Sequence, residues 1–166
     1  MSNMSSEVFK TFGNRLRVRV SGICIENEKV LLVNHQGINS ANEFWAPPGG
    51  GMEFGQTAKE NLVREFLEET GLEVNVGGFL YLNEFVGPPL HAVELFFKVT
   101  VTGGKLMVGS DPELDHIFDI IKNVEFKDWQ WINNHKGDRL HNLLNLSQNI
   151  SDLLTFNGYF LQLKNK

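Results

Sequence analysis

A glycine turn set directly against an acid-bearing helix is the feature that most limits how this chain can fold. The segment runs from Gly50 to Leu72, GGMEFGQTAKENLVREFLEETGL. Thr57 followed three residues later by Glu60 reads as a capping box, and Gly71 sits where a left-handed residue ends a helix, so the pattern predicts a helix over Thr57 to Thr70. Residues three and four apart share a helix face. Glu65, Glu68 and Glu69 therefore converge, while Leu62, Val63, Phe66 and Leu67 offer an apolar side for packing. Converging acids repel unless a cation sits among them, and hard oxygen donors on a rigid element suit Mg²⁺ or Mn²⁺. Ahead of the helix, Pro47 and Pro48 lead into Gly49, Gly50 and Gly51, whose backbone can approach a ligand without Cβ obstruction.

At this spacing the segment resembles the signature of the Nudix hydrolases. The chain supplies Gly50, Arg64, Glu65, Phe66, Glu68, Glu69, Gly71 and Leu72 in register, and departs only at Gln56, where the family pattern has glutamate. An isolated Glu-x-x-Glu-Glu run is most often a solvated face. Two features set this one apart: no lysine is interleaved with the acids, and the glycine loop and Arg64 stand at the signature's distances.

The resemblance implies an α/β fold, the Nudix-like α/β/α sandwich with a mixed β-sheet. It also implies a metal-dependent pyrophosphohydrolase that cleaves the diphosphate linkage of a nucleoside diphosphate joined to another group, of the nucleotide-sugar, ADP-ribose or nucleoside triphosphate type. Mg²⁺, with Mn²⁺ as the alternative, falls to Glu65, Glu68, Glu69 and Gly50. Arg64 falls into the role of orienting an adjacent glutamate, which suits its planar fork. The proton acceptor is left between Glu68 on the helix and Glu113 in a later acidic stretch with Asp111 and Asp115; Glu94 is the second choice outside the helix. Gln56 keeps the size and one acceptor oxygen of glutamate without its charge. That neutral residue supports an alternative, a nucleotide-binding or sensing module without turnover, and Glu53 stands close enough in sequence to substitute for the missing acid.

Substrate contacts are expected from Gly49 and Gly50 and from Phe44 and Trp45, which flank the loop with Phe54 and can stack on a planar group; burial in the core is the commoner fate of such rings. His35 either meets phosphate or ends a strand. His91, His116, His135 and His141 have no zinc spacing.

The rest of the chain reads as one domain, 1–166, with 1–14 as a flexible N-terminal extension. Of 166 residues 42% are hydrophobic and 21% charged, enough apolar surface for a single large core. No long apolar span and no secretory leader stand out, and a cytoplasmic location without membrane contact is expected. Cys24 is the one cysteine, which rules out an internal disulfide, and its apolar strand context favours a buried structural role. A net charge of −5 argues against binding long nucleic acids while leaving small phosphorylated substrates open, and a homodimer is allowed. Strands are predicted over Leu16–Ile25, Lys29–Val33 (a hairpin), Phe44–Ala46, Glu73–Val86, His91–Thr102, Lys105–Val108 and Val124–Trp129, with helices over Asp138–Leu146 and Ile150–Phe156.

Overall fold

A computed structural model describes residues 6–39, 41–110 and 121–164. Helix α1 (Ser6–Phe12) lies within the stretch read as an extension, and the Arg17 guanidinium stacks 3.9 Å from the Phe12 ring centroid. Strands β1 (Arg15–Glu26) and β2 (Lys29–His35) form the predicted hairpin. Asn27 and Glu28 both take positive φ, 48° and 60°, the turn whose twist matches a tight antiparallel pair. Then come β3 (Phe44–Ala46), β4 (Gly49–Gly51), α2 (Ala58–Thr70), β5 (Leu72–Gly87), β6 (Leu90–Gly104), β7 (Ile121–Lys127), α3 (Trp129–His135), α4 (Asn142–Leu146), α5 (Asp152–Thr155) and β8 (Gly158–Leu163).

The sheet runs β3-β2-β1-β6-β5-β8, with β4 added to β1 and β7 to β2. It is mixed: β1–β6 and β5–β8 are parallel, and the remaining pairs antiparallel. Two apolar clusters fill its two sides. Leu62 and Phe66 of α2 pack with Val20, Leu31, Val33 and Val99 on one. On the other, Ile132 of α3, Leu143 of α4 and Leu153 of α5 pack with Ile23, Leu32 and Phe96. Helices on both faces of a mixed sheet give the expected α/β/α sandwich. Cys24 is buried in the first cluster, where burial, helped by Glu26, pushes its thiol up to about 12.

Four local expectations are corrected. Gly49–Gly51 is not a loop but a strand, pairing with Arg19–Ser21 of β1. Lys105–Val108 is not a strand, because its amides go to the end of α2. The strand expected over Val124–Trp129 is shifted to Ile121–Lys127, since Asp128 accepts the Trp131 N–H at 2.8 Å and opens α3. The two terminal helices are shorter than expected: α4 begins only where the His141 side chain accepts the Leu143 N–H at 3.3 Å, and β8, unpredicted, follows α5.

Candidate active site

Helix α2 is built as its sequence dictates. Thr57 and Glu60 make the reciprocal capping box, and Gly71 closes the helix at φ 70°. Leu62 and Phe66 are sunk into the core, whereas Val63 and Leu67, expected on the same side, are exposed; Glu65 and Glu69 point at β4. Glu65 is 1% exposed and Glu69 0%. The Gly49 N–H donates to Glu69 Oε2 at 2.9 Å. A Cβ on Gly50 would lie 2.6 Å from Glu65 Oε2, so only glycine leaves room for that carboxylate against the strand.

Arg64 binds the acids together. Its Nη2 lies 2.9 Å from Glu65 and 3.6 Å from Glu53, and its Nη1 lies 2.8 Å from Glu68. The acids thus carry a counter-charge that the absence of interleaved lysines had concealed. Partial burial works against the Arg64 charge, but Glu65, Glu68 and Glu53 outweigh it and raise its pKa. Among the described residues, no three His, Cys, Asp or Glu side chains form a ready metal cage. The donor set nevertheless fits a small hard cation in kind: carboxylates on a rigid helix, two of them buried, with the Glu65 carboxylate cradled where Gly50 lacks a Cβ. Gln56 adds no charge; its Nε2 donates to Glu53 Oε2 at 3.3 Å, and its buried Oε1 has no hydrogen-bond partner among the described residues.

The C-terminal end of α2 is strapped by residues 105–110. Met107, Gly109 and Ser110 donate their amides to the carbonyls of Thr70, Glu69 and Glu68 at 2.9, 3.0 and 3.0 Å. These are carbonyls that a helix end leaves without intrahelical partners. Glu113, Asp111, Asp115 and His116 lie outside the described residues.

The other sequence-chosen residues take separate places. Trp45 is 3% exposed, edge-on to Trp131, with its indole N–H on Glu43 at 2.8 Å, so it is a core ring; Phe44 beside His141 is the half-buried one, and Phe54 is fully exposed. Gly49 gives its N–H to Glu69 and is therefore engaged in the protein. His35 ends β2 and is 6% exposed; burial, with the Arg19 charge adding, lowers it to about 3, leaving a neutral ring. Glu94 is 8% exposed and accepts from His141 at 2.8 Å and Asn83 at 3.2 Å, with Arg19 at 3.4 Å. Its oxygens are committed to protein partners, which argues against its second-choice role as a base. This cluster escaped the sequence reading; the only signal was a charged residue at alternate positions of RLRVRV, which normally marks a solvated face.

A mixed sheet between helical layers, with an acidic helix docked through its glutamates on a glycine strand, defines the Nudix class of α/β/α sandwich. The chain belongs to the Nudix hydrolase family: residues 15–149 match the NUDIX domain. It is 36% identical over 105 residues to an ADP-ribose pyrophosphatase of Methanocaldococcus jannaschii, covering 62% of each chain. It is 30% identical over 82 residues to a putative 8-oxo-dGTP diphosphatase of Bacillus subtilis, covering 49% of this chain and 51% of the relative. The alignments thus span about half to three fifths of these curated relatives. Among solved structures, a MutT Nudix hydrolase from Burkholderia pseudomallei superposes with a TM-score of 0.65 at 15% identity, covering 85% of this chain and 99% of that one. An ADP-ribose pyrophosphatase from Streptococcus suis gives 0.58 at 17% identity, with 86% and 98% covered. At these identities the structural likeness concerns the fold.

Proposed function

We propose that this chain is a pyrophosphohydrolase that splits the diphosphate linkage of a small nucleotide-type substrate with a divalent cation, Mg²⁺ or Mn²⁺. The observation that carries the reading is the convergence of Glu65 and Glu69, both buried, on the glycine strand inside the matched NUDIX domain, where carboxylates on a rigid helix are the donor type a small hard cation takes. The relatives named as an ADP-ribose pyrophosphatase and as a putative 8-oxo-dGTP diphosphatase support this substrate class, with ADP-ribose on one side and an oxidised nucleoside triphosphate on the other.

Glu65, Glu69 and Glu68 would hold the cation with the Gly50 carbonyl. When bound, such a cation neutralises phosphoryl oxygens and lowers the pKa of a nearby water. Arg64 keeps Glu65 and Glu68 aligned through its fork. Glu68, with a side chain 28% exposed and so more open to water than Glu65 or Glu69, would take the proton of the attacking water. Glu113, which lies outside the described residues, is the second candidate. Phe44 offers a ring for a planar group, and the Gly50 backbone borders the phosphates. A cytoplasmic location accords with a substrate of this kind; no helix among the described residues is long and apolar enough to cross a membrane.

The test is a Mg²⁺-dependent screen of ADP-ribose, nucleotide sugars, dinucleoside polyphosphates and 8-oxo-dGTP with product identification. Release of a nucleoside monophosphate supports the reading. The neutral Gln56 favours a second one, a nucleotide-binding module, which tight binding of the same compounds without any product would establish in its place.

A further inference from the structure

Charged and polar side chains meet in mid-sheet on the strands that border the acidic site. Arg19 of β1 stands in register with Gly51 of β4 on one side and with Glu94 of β6 on the other; Asn83 of β5 is the next partner of Glu94. His141, which opens α4, closes the cluster from the helical layer at 2.8 Å from Glu94. Glu94, His141 and Asn83 are buried. Removing such groups from water is expensive, and well-packed apolar residues often serve stability as well or better. Stability alone is therefore a weak account of the cluster.

The other end of the arginine supplies a stronger one. While Arg19 Nε faces Glu94 at 3.4 Å, Arg19 Nη2 lies 3.5 Å from the Gly49 carbonyl oxygen. The amide of the same Gly49 donates to Glu69. One residue of β4 is thus joined to Arg19 through its carbonyl and to a carboxylate of the acidic site through its N–H.

We propose that Arg19, braced by Glu94, is a positioning residue that fixes Gly49 and through it the orientation of Glu69. The inference rests on the reading of Glu69 as a ligand of the cation. A guanidinium offers five donors in one rigid plane and can engage a carboxylate and a carbonyl at the same time, whereas an ammonium is a point donor on a flexible stem. Glu94 takes up the near side of the fork and orients the far side. The Asn83 amide, 3.2 Å from Glu94 Oε2, and His141 hold that carboxylate in turn, so α4 is connected to the acidic helix by way of Glu94, Arg19 and Gly49.

The experiment uses the full chain with Arg19→Lys, Glu94→Gln and the double variant. Two quantities are measured without substrate: amide hydrogen exchange at Gly49 by NMR, and the affinity for Mn²⁺. Exchange at Gly49 is expected to quicken about tenfold or more in each single variant relative to core amides such as Ile23 and Leu32, which report any change in global stability. Mn²⁺ affinity is expected to fall severalfold, and the double variant to be no worse than the weaker single one, because both changes break the same chain of contacts. A folded Arg19→Lys protein with parental Gly49 exchange and parental Mn²⁺ affinity overturns the inference. Exchange that rises evenly across the sheet also overturns it, since that marks a purely structural role. A parent that turns over no substrate yet shows the expected Gly49 and Mn²⁺ responses sinks the hydrolase reading alone.

Discussion

Glu69 is the side chain on which the acidic site can be tested with least disturbance. It is fully buried and takes the Gly49 N–H, and an amide of the same shape can still accept that bond. Glu69→Gln should lower turnover by two orders of magnitude or more, as expected when a ligand charge is lost at a catalytic cation, while the thermal midpoint moves by only a few degrees. Parental turnover at saturating Mg²⁺ would remove Glu69 from the metal set. Gln56→Glu tests the departure from the signature. The new carboxylate would stand beside Glu53, so the variant should melt a few degrees lower without metal and gain more than the parent on adding Mg²⁺. Superimposable melting curves and metal titrations would make position 56 a passive turn residue. Glu94 carries a pH signature. Burial alone would raise its carboxyl, but the charge and hydrogen bond of His141, the Arg19 charge and the Asn83 amide outweigh it and hold it down to about 2 from an ordinary 4.5. A depressed folded pKa stabilises above the unfolded value and is lost as pH falls toward the folded one. Unfolding free energy should therefore drop by up to about 3 kcal/mol between pH 4.5 and 2, and Glu94→Gln should flatten that part of the curve in urea titrations. An unchanged slope would mean that the cluster contributes nothing in this window.

Among the elements, α2 and the β1–β2 hairpin were legible in the sequence because the residues that make them act on their neighbours. Thr57, Glu60 and Gly71 settle the helix within its own length, and Asn27 and Glu28 settle the turn. The glycine strand β4 was not legible, since Gly49–Gly51 is extended only because β1 supplies its partners thirty residues earlier in the chain. The same holds for the strap at 105–110. Its run of apolar residues reads as a strand, yet its amides are spent on the end of α2, a partner no local pattern reveals. Gly109 shows how tight that contact is: a Cβ there would lie 2.8 Å from the carbonyl carbons of both Glu68 and Glu69. Gly109→Ala should push the strap off the helix and leave carbonyls short of partners, costing about 2 kcal/mol or more by chemical denaturation. A loss below about 0.5 kcal/mol would show that the strap shifts without releasing the helix end.

Across the whole molecule, the acidic helix followed from its own residues and the sandwich from the family resemblance, strand and helix periodicity alone giving no more than an α/β or α+β domain, while the polar cluster inside followed from neither. Alternation along β1 marks Arg19 as solvent-facing, and it is partly covered and paired only because β6, β5 and α4 bring Glu94, Asn83 and His141 together from far along the chain. Tyr81 spans the same layers, its hydroxyl donating to the Leu153 carbonyl at 2.9 Å, so sheet and terminal helices are joined by a polar contact as well as by apolar packing.

The three-way grip of Arg64 on Glu53, Glu65 and Glu68 has a consequence for how the protein tolerates chelators. Folds whose ligand side chains have no other counter-charge come apart when their ion is stripped. Here an arginine already offsets part of the acids' charge, and the apolar packing of α2 is independent of them. Treatment with EDTA should therefore abolish the proposed hydrolysis while leaving the circular dichroism intact, and Mg²⁺ should restore it within the mixing time, with no refolding phase. Slow or partial recovery would show that the cation is part of the scaffold. Prompt recovery would make this a catalyst that can be switched off and on by its ion supply without ever losing its shape.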